Sequence, residues 1–285
     1  MKKKKSIIVP CVVLVIGLIG MIISGIYLYN YWMPRLRAQQ ELDSLDDMIG
    51  DEDEERNPYV RRNPIDVTKE DDTKDHPIRH SKYDKLYEEN PDFVGWIEVP
   101  GTNIDYPVMQ TKDESKKAWE DRNREDWYLH HNFYGNWTYE GLPFCSANSD
   151  VARPSDNTVI YGHHMKYGTV FHNLTKFEDK SFYKEHNIFY FDNIYRSGTY
   201  EIVGVVKTDV NKGSYEYWNV TDCNAEEFYS YVDWVKDNSL YKIKAMNDVE
   251  YGDILVTLST CEYHTNNGRL IVVGKMIETD DIYLT

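Results

Sequence analysis

Ile254-Leu255-Val256-Thr257-Leu258-Ser259-Thr260-Cys261 is the stretch whose reading decides the fold of this chain. With a period of two, Ile254, Val256, Leu258 and Thr260 share one face of an extended strand, and Leu255, Thr257, Ser259 and Cys261 share the other. The first face is expected to seek the core. The second becomes more polar toward its end and finishes on a thiol, as a strand does when it presents a side chain to a groove. Glu262-Tyr263-His264-Thr265-Asn266-Asn267-Gly268 follows, with the Asn-Gly content of a loop between antiparallel strands, and Arg269 opens the returning strand. Such a hairpin brings the thiol and the guanidinium to the mouth of one loop. A thiolate is the nucleophilic form of cysteine; a permanent cation beside it favours that form and can stabilise the oxyanion on an attacked carbonyl. An Arg that merely closes a strand end through a surface ion pair is the plainer alternative.

A cysteine nucleophile also needs a group that takes and returns a proton. Asn157-Thr158-Val159-Ile160-Tyr161-Gly162-His163-His164 repeats the pattern of an apolar strand ending at a functional side chain, with Gly162 permitting a sharp turn or a close approach. His163 is placed to project from the strand end, whereas His164 points elsewhere if the extended geometry persists. Metal binding is a separate question, since His130-His131, His163-His164 and Cys145 supply ligand types. Adjacent histidines do not converge easily, and no Cys-x-x-Cys, His-Glu-x-x-His or Gly-rich phosphate loop occurs, so neither metal nor cofactor is expected.

Outward from these segments, other short runs read as strands: Phe93 to Val99 and Ile104 to Met109 around the turn Pro100-Gly101-Thr102-Asn103, then Ile188 to Phe191, Thr199 to Lys207 and Leu270 to Met276. Helices are fewer. One begins near Ser81 and stops at Asn90-Pro91; another covers Ala225 to Val235, where Phe228, Tyr231, Val232 and Val235 recur at helical spacing. Many strands with few helices predict a mostly β domain, a barrel or sandwich with helical additions. With 24 Tyr and 7 Trp, its core is expected to be rich in rings whose polar tips seek partners.

The first quarter of the chain differs. Residues 7–29 are apolar and uncharged, and a helix of that length reaches about 35 Å, enough to cross a hydrocarbon core. Lys2, Lys3, Lys4 and Lys5 precede it, which puts the N-terminal tail (residues 1–6) in the cytoplasm and everything after Tyr29 outside the cell. The run is longer than a signal-peptide core and no small-residue cleavage pattern follows, so a retained anchor is expected. No second apolar run of spanning length is found. Residues 30–76 read as an acidic spacer, broken by Arg-Asn-Pro triplets at Arg56 and Arg62, ahead of a catalytic domain over residues 77–285. The net charge of −16 argues against a nucleic-acid partner. Of four cysteines, Cys11 lies in the anchor and three in the exported part, so at least one exported thiol stays free; packing suffices for Cys145 and Cys223.

Taken together, these motifs resemble the sortase family and, within it, the class B enzymes. Thr257-Leu258-Ser259-Thr260-Cys261 is similar to the family's TLxTC nucleophile motif, followed at a fitting distance by Arg269 in Gly268-Arg269-Leu270-Ile271-Val272-Val273-Gly274. Tyr161-Gly162-His163-His164-Met165-Lys166, continuing to Gly168 and Phe171, resembles the class B histidine segment. Gly95-Trp96-Ile97 with Ile104-Asp105-Tyr106-Pro107-Val108 resembles that class's first strands. One departure is Gly141-Leu142-Pro143-Phe144-Cys145-Ser146, where a class B chain usually has a Gly-Ser-hydrophobic-Phe-Leu-Asp type strand.

The resemblance implies an eight-stranded β-barrel with N-terminal and peripheral helices, on a membrane-anchored transpeptidase of a Gram-positive-type cell wall. It implies Cys261 as nucleophile, His163 as acid/base, Arg269 as oxyanion or substrate-orienting group, and Ser259 and Glu262 as substrate-contact positions. The implied partners are secreted proteins bearing a sorting signal, cleaved at a Thr carbonyl, and an amine of a peptidoglycan precursor or another protein that resolves the thioacyl intermediate. Two other readings of the residues are an extracellular cysteine peptidase using water as acceptor and a non-catalytic surface binding domain.

Overall fold

The computed structural model of the chain describes residues 8–50, 81–111, 125–151, 155–263 and 265–281. They fall into two compact units, Met1–Met48 and Ile49–Thr285. The first is one helix, α1 (Ile8–Asp46), long and apolar enough by length and composition to cross a membrane, with its apolar side chains from Val12 to Tyr29 exposed. It continues well past Tyr29, so residues 30–46, which the acidity of the region marks as spacer, are helical. Leu36, Arg37, Ala38, Gln39, Gln40 and Glu41 are all good helix formers, and that outweighs Pro34 inside the helix. The Arg-Asn-Pro triplets and the rest of the spacer lie outside the described residues.

The second unit is built around a closed barrel of eight strands: β1 (Phe93–Val99), β2 (Ile104–Met109), β3 (Phe144–Cys145), β4 (Asn157–Gly162), β5 (Ile188–Asn193), β6 (Arg196–Asp209), β7 (Leu255–Cys261) and β8 (Gly268–Asp281), joined in the order β1-β2-β3-β4-β7-β8-β6-β5. The mostly β expectation thus resolves to a barrel. Closure gives each strand a neighbour on both sides, although β2 meets β3 at a single pair, Met109 with Phe144. Two pairs are parallel, β2 with β3 and β4 with β7; the others are antiparallel. The segment with the atypical Phe144-Cys145 sequence forms β3, a two-residue link in the barrel wall, with the Cys145 side chain fully buried and its thiol pushed up by burial.

Short helices decorate the barrel. Besides α2 (Asp84–Glu89) and α3 (Lys180–Glu185), the main one is α4 (Ala225–Asn238). Asn224 caps α4, its side chain accepting from the Glu226 and Glu227 backbone while the Glu227 carboxylate accepts from the Asn224 backbone; Cys223 therefore stands just outside the helix. Phe228, Tyr231, Val232 and Val235 of α4 pack with Val159 of β4, Val203 and Val206 of β6, Leu255 of β7, and Ile271 and Val273 of β8. Each such buried side chain contributes about 1.5–3 kcal/mol. At the start of the unit, Lys82 Nζ bonds Asp192 Oδ2 of β5 at 3.0 Å and Tyr83 Oη donates to the same oxygen at 3.1 Å, both side chains of the ion pair being buried. Breaking one partner of such a pair costs about 3–5 kcal/mol, so this contact fastens residues 82–83 to the barrel.

Candidate active site

Strand β7 is buried on both faces from Leu255 to Thr260, and only Cys261 emerges to partial exposure. The face carrying Thr257 and Ser259 does not open into a groove, as its polarity suggests, because aromatic side chains cover it. Tyr231 of α4 meets Thr257 Oγ1 at 2.6 Å, Thr257 donates onward to Asn157 Oδ1 at 2.8 Å, and Tyr217 Oη meets Ser259 Oγ at 2.7 Å. Hydroxyls inside the domain must be bonded, and here phenols bond them. Where this cover ends, the thiol begins.

Cys261 and Arg269 are direct cross-strand partners, the last pair of the β7–β8 ladder. The connecting loop is closed by Glu262 N–H to Gly268 O at 3.0 Å and Gly268 N–H to Thr265 O at 3.1 Å. Asn267 takes φ 58°, a left-handed conformation that asparagine tolerates. The Arg269 guanidinium is half-buried and donates through Nη1 to the carbonyls of Gly268 at 2.9 Å and Asn267 at 3.3 Å. Its charge also reaches Tyr217: burial raises that phenol's pKa most, the Ser259 bond and Arg269 lower it, and Cys261 raises it. Tyr217 therefore sits within electrostatic range of both.

The histidine segment arrives from the parallel neighbour. In the β4–β7 register Gly162 faces Thr260, whose Oγ1 donates to the Gly162 carbonyl at 2.8 Å, so His163 and Cys261 leave adjacent strands at the same level. Gly162 is required by contact: a Cβ there would stand 2.6 Å from the Phe171 ring. His164 donates from Nδ1 to the Cys261 carbonyl at 2.7 Å, and its ring packs on His172 and Tyr263 at centroid distances of 4.7 and 5.2 Å. His163 turns to the other side, its ring 5.0 Å from that of His130. Its Nε2 is buried and bonds no described group. Burial, then the nearby His130, hold the imidazole down at about 4, against a backbone hydrogen bond at Leu129 that favours protonation. At neutral pH it is an uncharged ring with a lone pair available.

The remaining expected positions are less open. Ser259 is buried under Tyr217. Glu262 is half-buried and lies 3.7 Å from Lys207 Nζ, which also pairs with Glu178 at 2.7 Å. Tyr217, the Leu129 backbone and the His130 ring are neighbours of the site that neither strand periodicity nor spacing announces. The run Trp127 to His131, two rings beside two histidines, is a compositional hint, noted in the sequence only for its metal-ligand types. Among the described residues no group of three or more His, Cys, Asp or Glu is arranged to hold a metal, and all four cysteines are free thiols.

Comparison with known proteins gives a consistent result. The sortase-domain family model matches residues 97–277. Sortase B of Listeria monocytogenes is 32% identical over 190 residues, covering 66% of this chain and 71% of the relative. The crystal structure of B. anthracis sortase B in complex with AAEK1 superposes with a TM-score of 0.64 at 25% identity, covering 87% of this chain and 99% of that one. A Staphylococcus aureus sortase B–substrate complex gives a TM-score of 0.60 at 28% identity, covering 70% and 86%.

Proposed function

This chain belongs to the sortase family, in its class B branch, and is a cysteine transpeptidase; on that premise we propose that Cys261 is its nucleophile, His163 its proton-transfer group and Arg269 its oxyanion partner. The observation that carries this assignment is the cross-strand pairing of Cys261 with Arg269 at a barrel rim where β4 delivers His163 at the same level. His163, neutral at working pH, takes the thiol proton as sulfur attacks the Thr carbonyl of a sorting signal. Arg269 faces the negative charge that develops on the carbonyl oxygen. The C–N bond breaks, His163 returns its proton to the leaving amine, and a thioacyl ester remains on Cys261. An acceptor amine attacks that ester and gives a proton to His163, the C–S bond breaks to form the new amide, and the departing thiolate takes the proton back from His163.

His163 is preferred to His164 because His164 Nδ1 is engaged by the Cys261 carbonyl and its ring is packed between His172 and Tyr263. Ser259 acts on substrate through the phenol it bonds, and Glu262, tethered by Lys207, lines the approach to the thiol. The substrates are secreted proteins with a C-terminal sorting signal, the acceptor is an amine of the cell wall, and the chain works outside a membrane crossed once by α1 with its N-terminus in the cytoplasm. Mass spectrometry of the chain incubated with a library of sorting-type peptides tests the assignment. A peptide acyl group on Cys261 that is released to an added amine is the expected result; hydrolysis indifferent to any amine, or processing that survives Cys261→Ala, would sink it.

A further inference from the structure

Val170 is a β-branched residue with φ 54° and ψ −125°, a backbone conformation that side chains of its kind avoid, and it is 1% exposed. A strained residue persists only where its surroundings over-determine it. Its place in the chain is specific. Val170 forms an antiparallel bridge with His164, and the next residue, Phe171, donates from its backbone to the His163 carbonyl at 2.9 Å. Residues 163–171 are thus a closed loop that begins at the proton-transfer histidine and is shut by Val170 and Phe171.

The force that holds Val170 comes from a different part of the barrel. Its N–H donates to the phenolic oxygen of Tyr106 on β2 at 3.1 Å, and that phenol is itself buried. From the same hairpin, Asn103 Nδ2 donates to the Gly168 carbonyl at 2.7 Å. Of the two contacts, Asn103 works in an exposed position and is replaceable by water, whereas the Tyr106 bond is enclosed. Loss of the phenol would leave a buried N–H without an acceptor, and the loop's least demanding response is to relax the positive φ of Val170 and shift both ends. One of those ends is His163.

We propose that Tyr106 is a positioning residue for the reaction: its hydroxyl pins Val170 in a left-handed conformation and so fixes the loop that presents His163 beside Cys261. The inference rests on the reading of His163 as the proton-transfer group. Raised by burial above the ordinary tyrosine value, the Tyr106 phenol keeps its proton throughout the working range, so the latch does not titrate with the enzyme.

The test uses the full-length chain in detergent micelles, the peptide that acylates Cys261, and hydroxylamine as the acceptor amine. Tyr106→Phe keeps the ring and removes the acceptor. It is expected to lower kcat by about tenfold or more with KM for the peptide within about twofold, since a misplaced catalytic group costs rate before binding. Nitrogen NMR of His163 is expected to move its titration from about 4 toward the ordinary histidine value as the loop loosens. Val170→Gly, which adopts a positive φ without strain and keeps the N–H that Tyr106 accepts, is expected to leave kcat near wild type; adding Tyr106→Phe to it should still lower kcat severalfold, and that comparison decides the matter if Tyr106→Phe alone does not fold, equal rates overturning the proposal. Wild-type kcat and an unmoved His163 titration in Tyr106→Phe, with or without a lower Tm, would overturn the proposal and leave Tyr106 a packing residue. His163→Ala is the control: if it retains turnover, the role of His163 fails, whereas an inactive His163→Ala beside a fully active Tyr106→Phe rejects only the latch.

Discussion

The Nδ1–H of His164 meets the carbonyl oxygen of Cys261 at 2.7 Å, whereas the buried Nε2 of the adjacent His163 bonds no described group, so only one of the two histidines is tied to the cysteine's backbone. Their substitutions should separate. His163→Ala is expected to lower kcat/KM by about 10²–10⁴, the range for loss of a general acid–base. His164→Ala should cost about 1 kcal/mol of stability, the net value of one hydrogen bond, and only a severalfold loss of rate. Steady-state kinetics with chemical denaturation of both variants would reveal the split; equal activity losses would contradict it.

Arg269 bonds two carbonyls of its own loop, which aims a planar group whose other donors can meet an oxyanion. Arg269→Lys should therefore fail nearly as badly as Arg269→Ala, with kcat down by about 10²–10³. A lysine variant with near-normal turnover would mean that charge alone suffices.

Acid should destabilise the domain through His163. In the unfolded chain the imidazole protonates at its ordinary value near 6.5, whereas in the fold it resists protonation until about 4. Between those values the unfolded state binds more protons, so stability declines as pH falls through that window and the contribution is intact above it. Urea midpoints measured from pH 7 to pH 4 should fall less steeply for His163→Gln than for the unsubstituted chain. Parallel curves would show that the imidazole titrates normally.

Gly162→Ala should be among the most damaging single-methyl changes in the protein. The new Cβ would stand 2.6 Å from the Phe171 ring, and neither the strand nor the ring can yield without moving the loop of His163. A cost of about 1–3 kcal/mol is expected, with loss of turnover, and Phe171→Leu in the same chain should recover part of both. Thermal melts and turnover of the single and double variants would check it.

Much of the fold and part of the site are legible in the sequence, for local reasons. The β7–β8 hairpin announces itself through strict alternation and a short Asn-Gly loop, and the register that places Arg269 opposite Cys261 follows from those two features. Other features depend on distant partners. β3 is two residues long and is a strand only because β2 and β4 flank it. β6 and β8 run beyond their apolar runs, to Asp209 and Asp281, because each supplies the other's backbone bonds. The hydroxyl face of β7 reads as a groove lining until Tyr217 and Tyr231 are seen to cover it, and no periodicity links Tyr217 to Ser259. That β4 and β7 end at the same level, so that His163 and Cys261 leave neighbouring strands, is likewise a product of parallel pairing between segments with no local relation.

That parallel pairing also has a kinetic side. β4 and β7 cannot join through a tight turn; β5, β6 and α4 lie between them in the chain. Contacts of such sequence separation form late in folding, since the loop-closure entropy must be met before they contribute. The pairing of β4 with β7, and with it the approach of the His163 segment to Cys261, is therefore expected among the later events of folding. The residues proposed for acyl transfer would then come together only as the barrel closes, so their chemistry is expected to appear with the folded domain and not before it.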